Sequence, residues 1–258
     1  MEHELDVAVQ AARKASLAIR HIQERDDLLV RQKSGGRGPL TEADLASNRI
    51  LIETLTGAFP EDGLLSEESR DDRSRLDKRR VWIIDPLDGT REFTLGVPEY
   101  VVSVGLVVDG EPVLGVLCNP ASGELITGVV GQGVQYCGKP TQTTDHATVE
   151  GARFLVSRSE YEKGWFEAWQ DMADLKPTGS VAYKLGLVGA GRAEATFTPK
   201  PRNEWDLAGG VAIVLAGGGR ATDGEGKPYR FNSPDPLHIG VCGTNGPIHD
   251  AVMEMMHR

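Results

Sequence analysis

Apolar and small residues recur every third or fourth position through Leu5, Ala8, Val9, Ala12, Ser16, Ile19 and Ile22, which predicts an amphipathic first helix. The pattern breaks at RQKSGGRGPL (31–40), whose glycines and proline predict a flexible basic loop. A second helix is predicted after LTEAD, with Leu45, Arg49, Ile52, Leu55 and Phe59 on one face, closed by the turn Pro60-Glu61-Asp62-Gly63. GLLSEES (63–69) reads as a short strand running into acids, and RDDRSRLDKRR (70–80) as a charged, solvated connector. Four hydrophobic residues, Val81 to Ile84, read as a buried strand. From 100 to 140, short β-rich runs alternate with Asp-Gly, Asn-Pro and Ser-Gly turn signals, which predicts an antiparallel meander.

A second half opens with a strand in ARFLVSRS (152–159), followed by a helix around Trp165 to Met172. EWDLAGGVAIVLAGGGRATD (204–223) reads as a loop, a helix and a glycine-rich exit. HIGVCG (238–243) is a late strand, and a last helix begins with Pro247 in its first turn. A seam near 141–152 divides the chain into an expected N-terminal α+β subdomain, 1–145, and a C-terminal α/β subdomain, 146–258.

Charge narrows the partners. The chain carries 28 Lys and Arg against 38 Asp and Glu, a net charge of −10. Nucleic-acid polymers are excluded as partners, because phosphate backbones need a basic stripe. A small anionic substrate is compatible only if metal ions locally reverse the field. No apolar run is long enough to span a bilayer, and the acidic N-terminus does not read as a signal peptide, so no membrane partner is expected. Cys118, Cys137 and Cys242 lie far apart in no metal-ligand spacing, which suits a reducing, cytoplasmic setting. The six histidines show no paired ligand spacing either.

Acids, by contrast, collect at the ends of predicted elements: Asp44, Glu67 with Glu68, Asp85 with Asp88, and Asp206. Several have plain structural uses. Thr41 and Asp44 have capping-box spacing, Asp206 can cap the helix after it, and Glu67-Glu68 can be a solvated turn. Asp85-Pro86-Leu87-Asp88 is harder to explain that way. Proline stiffens the turn, and both carboxylates with the Leu87 carbonyl can face one point, the oxygen cluster that hard cations such as Mg²⁺ prefer. Gly89 and Thr90 can then open a helix whose free amides attract phosphate. Carboxylates for metal beside amides for phosphate are the parts of a metal-assisted phosphoryl hydrolase.

TEAD (41–44), LSEES (65–69), WIIDPLDGT (82–90), GSVAYK (179–184) and EWDLAGG (204–210) occur in this order, and with them the chain resembles the inositol monophosphatase superfamily of Mg²⁺-dependent, lithium-sensitive phosphatases. The resemblance implies an α+β fold, a layered αβαβα sandwich, often a homodimer, with two or three Mg²⁺ ions where the halves meet. It places Glu67, Asp85 and the Leu87 carbonyl on a first metal, and Asp85, Asp88 and Asp206 on a second, with Glu67 helping a third. Asp44 with Thr90 would orient and deprotonate the attacking water, and the Gly89 and Thr90 amides would grip the phosphate. Lys33 falls where the family has a mobile flap. Hydrolysis by metal-activated water needs no covalent phosphoenzyme.

The ester is less sharply marked. DGTREF is closer to the DGTKEF type of the bacterial 3′(2′),5′-bisphosphate nucleotidases than to the Thr-Asn-Phe form of inositol phosphatases. That resemblance implies removal of the 3′-phosphate of adenosine 3′,5′-bisphosphate. Lys184 falls where nucleotidases carry a lysine and would meet a second phosphate, with Ser180 and Arg202 as further substrate contacts. GSVAYK nevertheless keeps the inositol-phosphatase spacing, so inositol phosphate, sugar bisphosphate and histidinol phosphate stay open as alternatives. A non-catalytic metal-binding interaction protein finds no support, since every motif acid is present.

Overall fold

The computed structural model describes residues 1–25, 29–32 and 38–257; Lys33 and the flap expected around it lie outside the described residues. Helix α1 (Glu2–Gln23) turns Ala8, Ala11, Ala12, Ala15, Ile19 and Ile22 inward, as the spacing predicts. Strands β1 (Val30–Gln32) and β2 (Pro39–Thr41) pair antiparallel, where the sequence pattern gave only a loop. Charged and glycine residues hide so short a pairing.

Helix α2 (Glu42–Ala58) buries Asp44, Ser47, Asn48, Leu51 and Leu55, while Leu45 and Arg49 are exposed, which corrects the predicted face. The inward face is polar at its start because those side chains serve the site described below. Strands β3 (Gly63–Ser66) and β4 (Arg80–Asp88) follow, then the one-turn helix α3 (Thr90–Thr94). The meander is β5 (Val101–Val108), β6 (Glu111–Cys118), β7 (Leu125–Val129), β8 (Gly133–Tyr136) and β9 (Lys139–Thr141). Strands β3 to β9 form one sheet in chain order, with only the β3–β4 pair parallel.

The second sheet is built from β10 (Arg153–Ser157), β11 (Asp174–Thr178), β12 (Ala195–Asn203), β13 (Arg220–Thr222) and β14 (Leu237–Thr244), ordered β11-β10-β12-β14-β13. Its helices are α4 (Arg158–Tyr161), α5 (Val181–Gly189), α6 (Glu204–Ala216) and α7 (His249–Met256). Pro247 lies just before α7 rather than in its first turn. The helix expected over Trp165 to Met172 is absent: only Glu167–Trp169 makes a 3-10 turn. Phe166 and Trp169 there pack edge-on to Phe197, and that aromatic contact outweighs helical periodicity.

Alternation along the strands explains the layering. Trp82 and Ile84 of β4 face α1 and α2, whereas Val81 and Ile83 face α5 and α6. Both faces of the first sheet are therefore covered, α5 and α6 lie between the sheets, and Phe154, Phe197 and Cys242 meet α7 beyond the second. The order of layers is αβαβα. Among the described residues no helix is long and apolar enough to cross a membrane.

Helix α6 lies unusually close to the first sheet. Gly105, Gly115 and Gly128 are cross-strand neighbours on β5, β6 and β7. A Cβ at Gly115 would fall 2.0 Å from the Gly209 carbonyl oxygen of α6. Glycines 209 and 210 cost the helix ~1 kcal/mol each, but burial of Leu207, Val211, Ile213 and Val214 contributes ~1.5–3 kcal/mol each, so packing wins. This seating sets where the first turn of α6, with Asp206, meets the end of β4.

Candidate active site

The motif Asp85-Pro86-Leu87-Asp88 is the end of β4 itself, where the sequence suggested a turn beyond the strand. Asp85 pairs with Ser103 and Asp88 with Val101, so a bulge accommodates the extra residue. The Leu87 amide donates to Asp85 Oδ1 at 2.9 Å, and Ser47 of α2 donates to the Pro86 carbonyl at 2.7 Å. Gly89 then adopts φ +100°, a left-handed conformation suited to glycine, and starts α3 at Thr90.

Asp206 enters from the other half, as the third residue of α6, where its carboxylate accepts from the Asn203 amide at 3.1 Å. It caps the helix and faces the site at once. One carboxylate oxygen from each of Asp85, Asp88 and Asp206 lies within 4.8 Å of the others. Burial, then the charges of Glu67, Asp88 and Asp206, push the Asp85 carboxyl well above the usual range. Burial, with Asp88 and Glu67, pushes Asp206 up to about 8. Asp85 and Asp206 held this way retain protons unless positive charge is supplied, and clustered hard oxygens suit a divalent cation. The residues fit a Mg²⁺ site.

Each acid has its own support. The turn at Glu67 is tied to α2 through Asn48, whose amide donates to Ser69 Oγ at 3.0 Å and whose Oδ1 accepts from Ser66 at 2.7 Å. Asp88 Oδ2 accepts from the Ser180 hydroxyl at 2.7 Å and the Ala182 amide at 2.6 Å, at the start of α5. Ser180 sits at φ +55° to do so. Asp44 is fully buried; its Oδ2 accepts from the Thr41 amide and hydroxyl at 2.7 and 2.6 Å, and its Oδ1 from Thr90 at 2.9 Å. The capping box is real, and the same carboxylate holds the Thr90 hydroxyl.

A cleft of about 390 Å³ is lined by Glu67, Asp85, Leu87, Asp88, Gly89, Thr90 and Asp206. Ser180, Lys184 and Arg202 line it too. Lys184 is buried, with Nζ donating to the Ser180 and Thr178 carbonyls at 2.6 and 3.2 Å. Burial lowers its ammonium to about 8. Arg202 donates to the buried Glu160 at 3.2 Å and to its neighbour Pro201 O at 3.0 Å. Lys200, by contrast, stacks on Trp165 at 4.1 Å and does not line the cleft.

Sequence reasoning missed Asn48 and the Arg158–Glu99 pair. Asn48 was signalled by its spacing from Asp44 and Ser47 on one helical face. Arg158 Nη2 donates to both Glu99 carboxylate oxygens at 2.7 and 2.6 Å, and Glu99 accepts from the Gly179 amide at 2.7 Å. No local pattern marks such a long-range pair.

A model of the inositol monophosphatase family matches residues 1–257. The fructose-1,6-bisphosphatase/inositol-1-monophosphatase of Thermotoga maritima is 30% identical over 256 residues, covering 98% of this chain and 95% of that one. Inositol monophosphatase 2 of Solanum lycopersicum is 29% identical over 269 residues, covering 100% and 99%. Among solved structures, an IMPase of Thermotoga maritima superimposes with a TM-score of 0.88 at 29% identity, covering 100% of this chain and 97% of that chain.

Proposed function

The chain belongs to the inositol monophosphatase family, and from that premise we propose that it removes phosphate from a small ester carrying a second anionic group, with adenosine 3′,5′-bisphosphate as the leading substrate. It is a metal-dependent phosphoric monoester hydrolase, as the family is. The observation that supports the narrower reading is the cationic side of the cleft, where Arg202 and Lys184 line it together with Arg91 and Arg158, opposite the acids Glu67, Asp85, Asp88 and Asp206. Arg202 is near enough for its charge to lower both Lys184 and Asp206. Two of its five N–H donors are engaged, which leaves a fork for phosphate. DGTREF supports the same branch.

Glu67, Asp85, the Leu87 carbonyl, Asp88 and Asp206 would hold Mg²⁺, which supplies charge neutralisation and Lewis acidity toward water and the ester oxygens. The chain's own contribution begins at Thr90. Asp44 does not reach the cleft, and only its Oδ1 is left to take a proton from Thr90. A water beside the Thr90 hydroxyl passes its proton to that oxygen while Thr90 passes its own to Asp44. The Gly89 and Thr90 amides, free at the start of α3, orient the phosphate for in-line attack.

Phosphate release from adenosine 3′,5′-bisphosphate, fructose 1,6-bisphosphate, inositol 1-phosphate and adenosine 5′-monophosphate, compared by kcat/KM, tests the assignment. The first ester is expected to lead, and Arg202→Gln is expected to lower its kcat/KM by ~10-fold or more while sparing the monoesters. A panel led by inositol 1-phosphate, with Arg202→Gln indifferent, moves the reading to an inositol monophosphatase. One observation favours that second reading: two of the three Lys184 N–H bonds go to backbone carbonyls, which limits what it can offer a second phosphate.

A further inference from the structure

The loop that follows Glu67 and the helix that carries Asp206 come from opposite halves of the chain. A cavity of about 540 Å³ lies between them, with Glu67 and Asp71 on one side and Trp205, Pro234 and Pro236 on the other. Side chains do not fill this space, so the packing of α6 on the sheet beneath it leaves the Glu67 loop itself without apolar support from this side. A buried polar network lies at its rim.

Arg75 stands in the connector that the sequence marked as solvated, yet it is 1% exposed. Its guanidinium donates to Asp71 at 2.9 Å, to Asn232 Oδ1 at 2.7 Å and to the Ser233 carbonyl at 2.9 Å. Asn232 returns a bond from Nδ2 to the Arg75 carbonyl at 3.0 Å. From the other side, the fully buried Glu204 accepts from the Asn232 amide at 2.8 Å and the Ser233 amide at 2.9 Å. The Glu204 amide donates to Pro236 O at 2.9 Å. Cation and anion thus grip one turn, 232–233, held at φ +64° at Asn232. Glu204 is two residues before Asp206, and Asp71 is four after Glu67.

Buried charged groups of this kind give up in desolvation roughly what they gain in attraction, so a contribution to stability alone does not account for the arrangement. Its geometric effect is to clamp one rim of the cavity. We propose that Arg75 and Glu204 are positioning residues that fix the spacing between Glu67 and Asp206, so that both acids face one set of divalent cations. The role concerns metal use and is independent of which ester is hydrolysed.

Isothermal titration of metal-free enzyme with Mg²⁺, which reads binding without any ester, tests the proposal. Glu204→Gln replaces one acceptor with a donor facing the 232–233 amides, and is expected to weaken Mg²⁺ binding by ~10-fold or more. Val252→Ala, a core change in α7 remote from the cleft, controls for lost stability and is expected to keep wild-type affinity. Should Glu204→Gln not fold, Asn232→Gly keeps the left-handed turn, deletes the carboxamide bonds to Arg75, and is expected to show the same loss. Wild-type Mg²⁺ affinity in a folded Glu204→Gln or Asn232→Gly enzyme overturns the proposal.

Discussion

The Thr90 hydroxyl lies 2.9 Å from Asp44 Oδ1 and 3.1 Å from the Leu87 carbonyl oxygen, so its single proton has acceptors only on the protein side. Its lone pairs are left for the cleft. Asp44→Asn removes the final proton acceptor and sets an amide against the Thr41 donors. It is expected to lower kcat by ~10²–10⁴ in phosphate-release assays. Thr90→Val should fall as far, whereas Thr90→Ser, which keeps the hydroxyl, should recover most of the rate. A Thr90→Val enzyme with near-normal turnover would remove the relay.

Crowded carboxylates make the metal-free protein less stable than it could be. Asp206→Asn keeps an acceptor for the Asn203 amide but removes a carboxyl that the metal-free site can hold only by keeping its proton or by adding to the cluster's charge. In EDTA its Tm should rise by about 2–4 °C for each kcal/mol of repulsion relieved. Adding Mg²⁺ should raise the Tm of the wild type and leave that of the variant nearly unchanged. Equal Mg²⁺ responses would place the cation elsewhere.

His249 gives an acid-sensitive term far from the site. Its ring nitrogens lie 3.1 Å from Thr222 Oγ1 and 3.0 Å from Thr244 Oγ1, and burial, then Arg220, lowers its pKa from 6.5 to about 4. Above pH 6.5 the ring is neutral in both folded and unfolded chains. As pH falls from 6.5 toward 4 the unfolded chain takes up the proton first, so stability is lost across that window, by up to about 3 kcal/mol. Urea midpoints measured from pH 7 to 4 should fall less steeply for His249→Gln. A parallel decline would acquit His249.

Two glycine substitutions separate space from conformation. Gly115→Ala drives a methyl into the Gly209 carbonyl and should cost about 3 kcal/mol or more, since backbone cannot rotate out of the way. Gly57→Ala, near the end of α2 with nothing within 4 Å, should instead stabilise by ~0.5–1 kcal/mol. Denaturant midpoints of the two variants should therefore move in opposite directions.

Much of this was legible in the sequence where one force dominated. Apolar runs announced β4 and the meander, three-to-four spacing announced α1, and the acids at strand and helix ends announced the cluster of Asp85, Asp88 and Asp206. Legibility failed where long-range contact overrode local pattern. The start of α2 points polar residues inward because Asp44, Ser47 and Asn48 bond to Thr90, Pro86 and the Glu67 turn, so its hydrophobic face misled. Arg75 looked solvated in a run of charges, because nothing nearby reveals that Asn232 and Ser233 wait for it. Phe166 and Trp169 broke an expected helix to reach Phe197.

The bare glycine track under α6 has a bearing on heat and on drift. Where helix and sheet meet through main-chain atoms, their separation is governed by bond geometry and not by which rotamers neighbouring side chains happen to occupy. Thermal hopping of leucines and valines elsewhere in the interior is thereby kept from reaching the late aspartate. Conservative repacking of those outer layers should shift melting behaviour while leaving cation capture untouched.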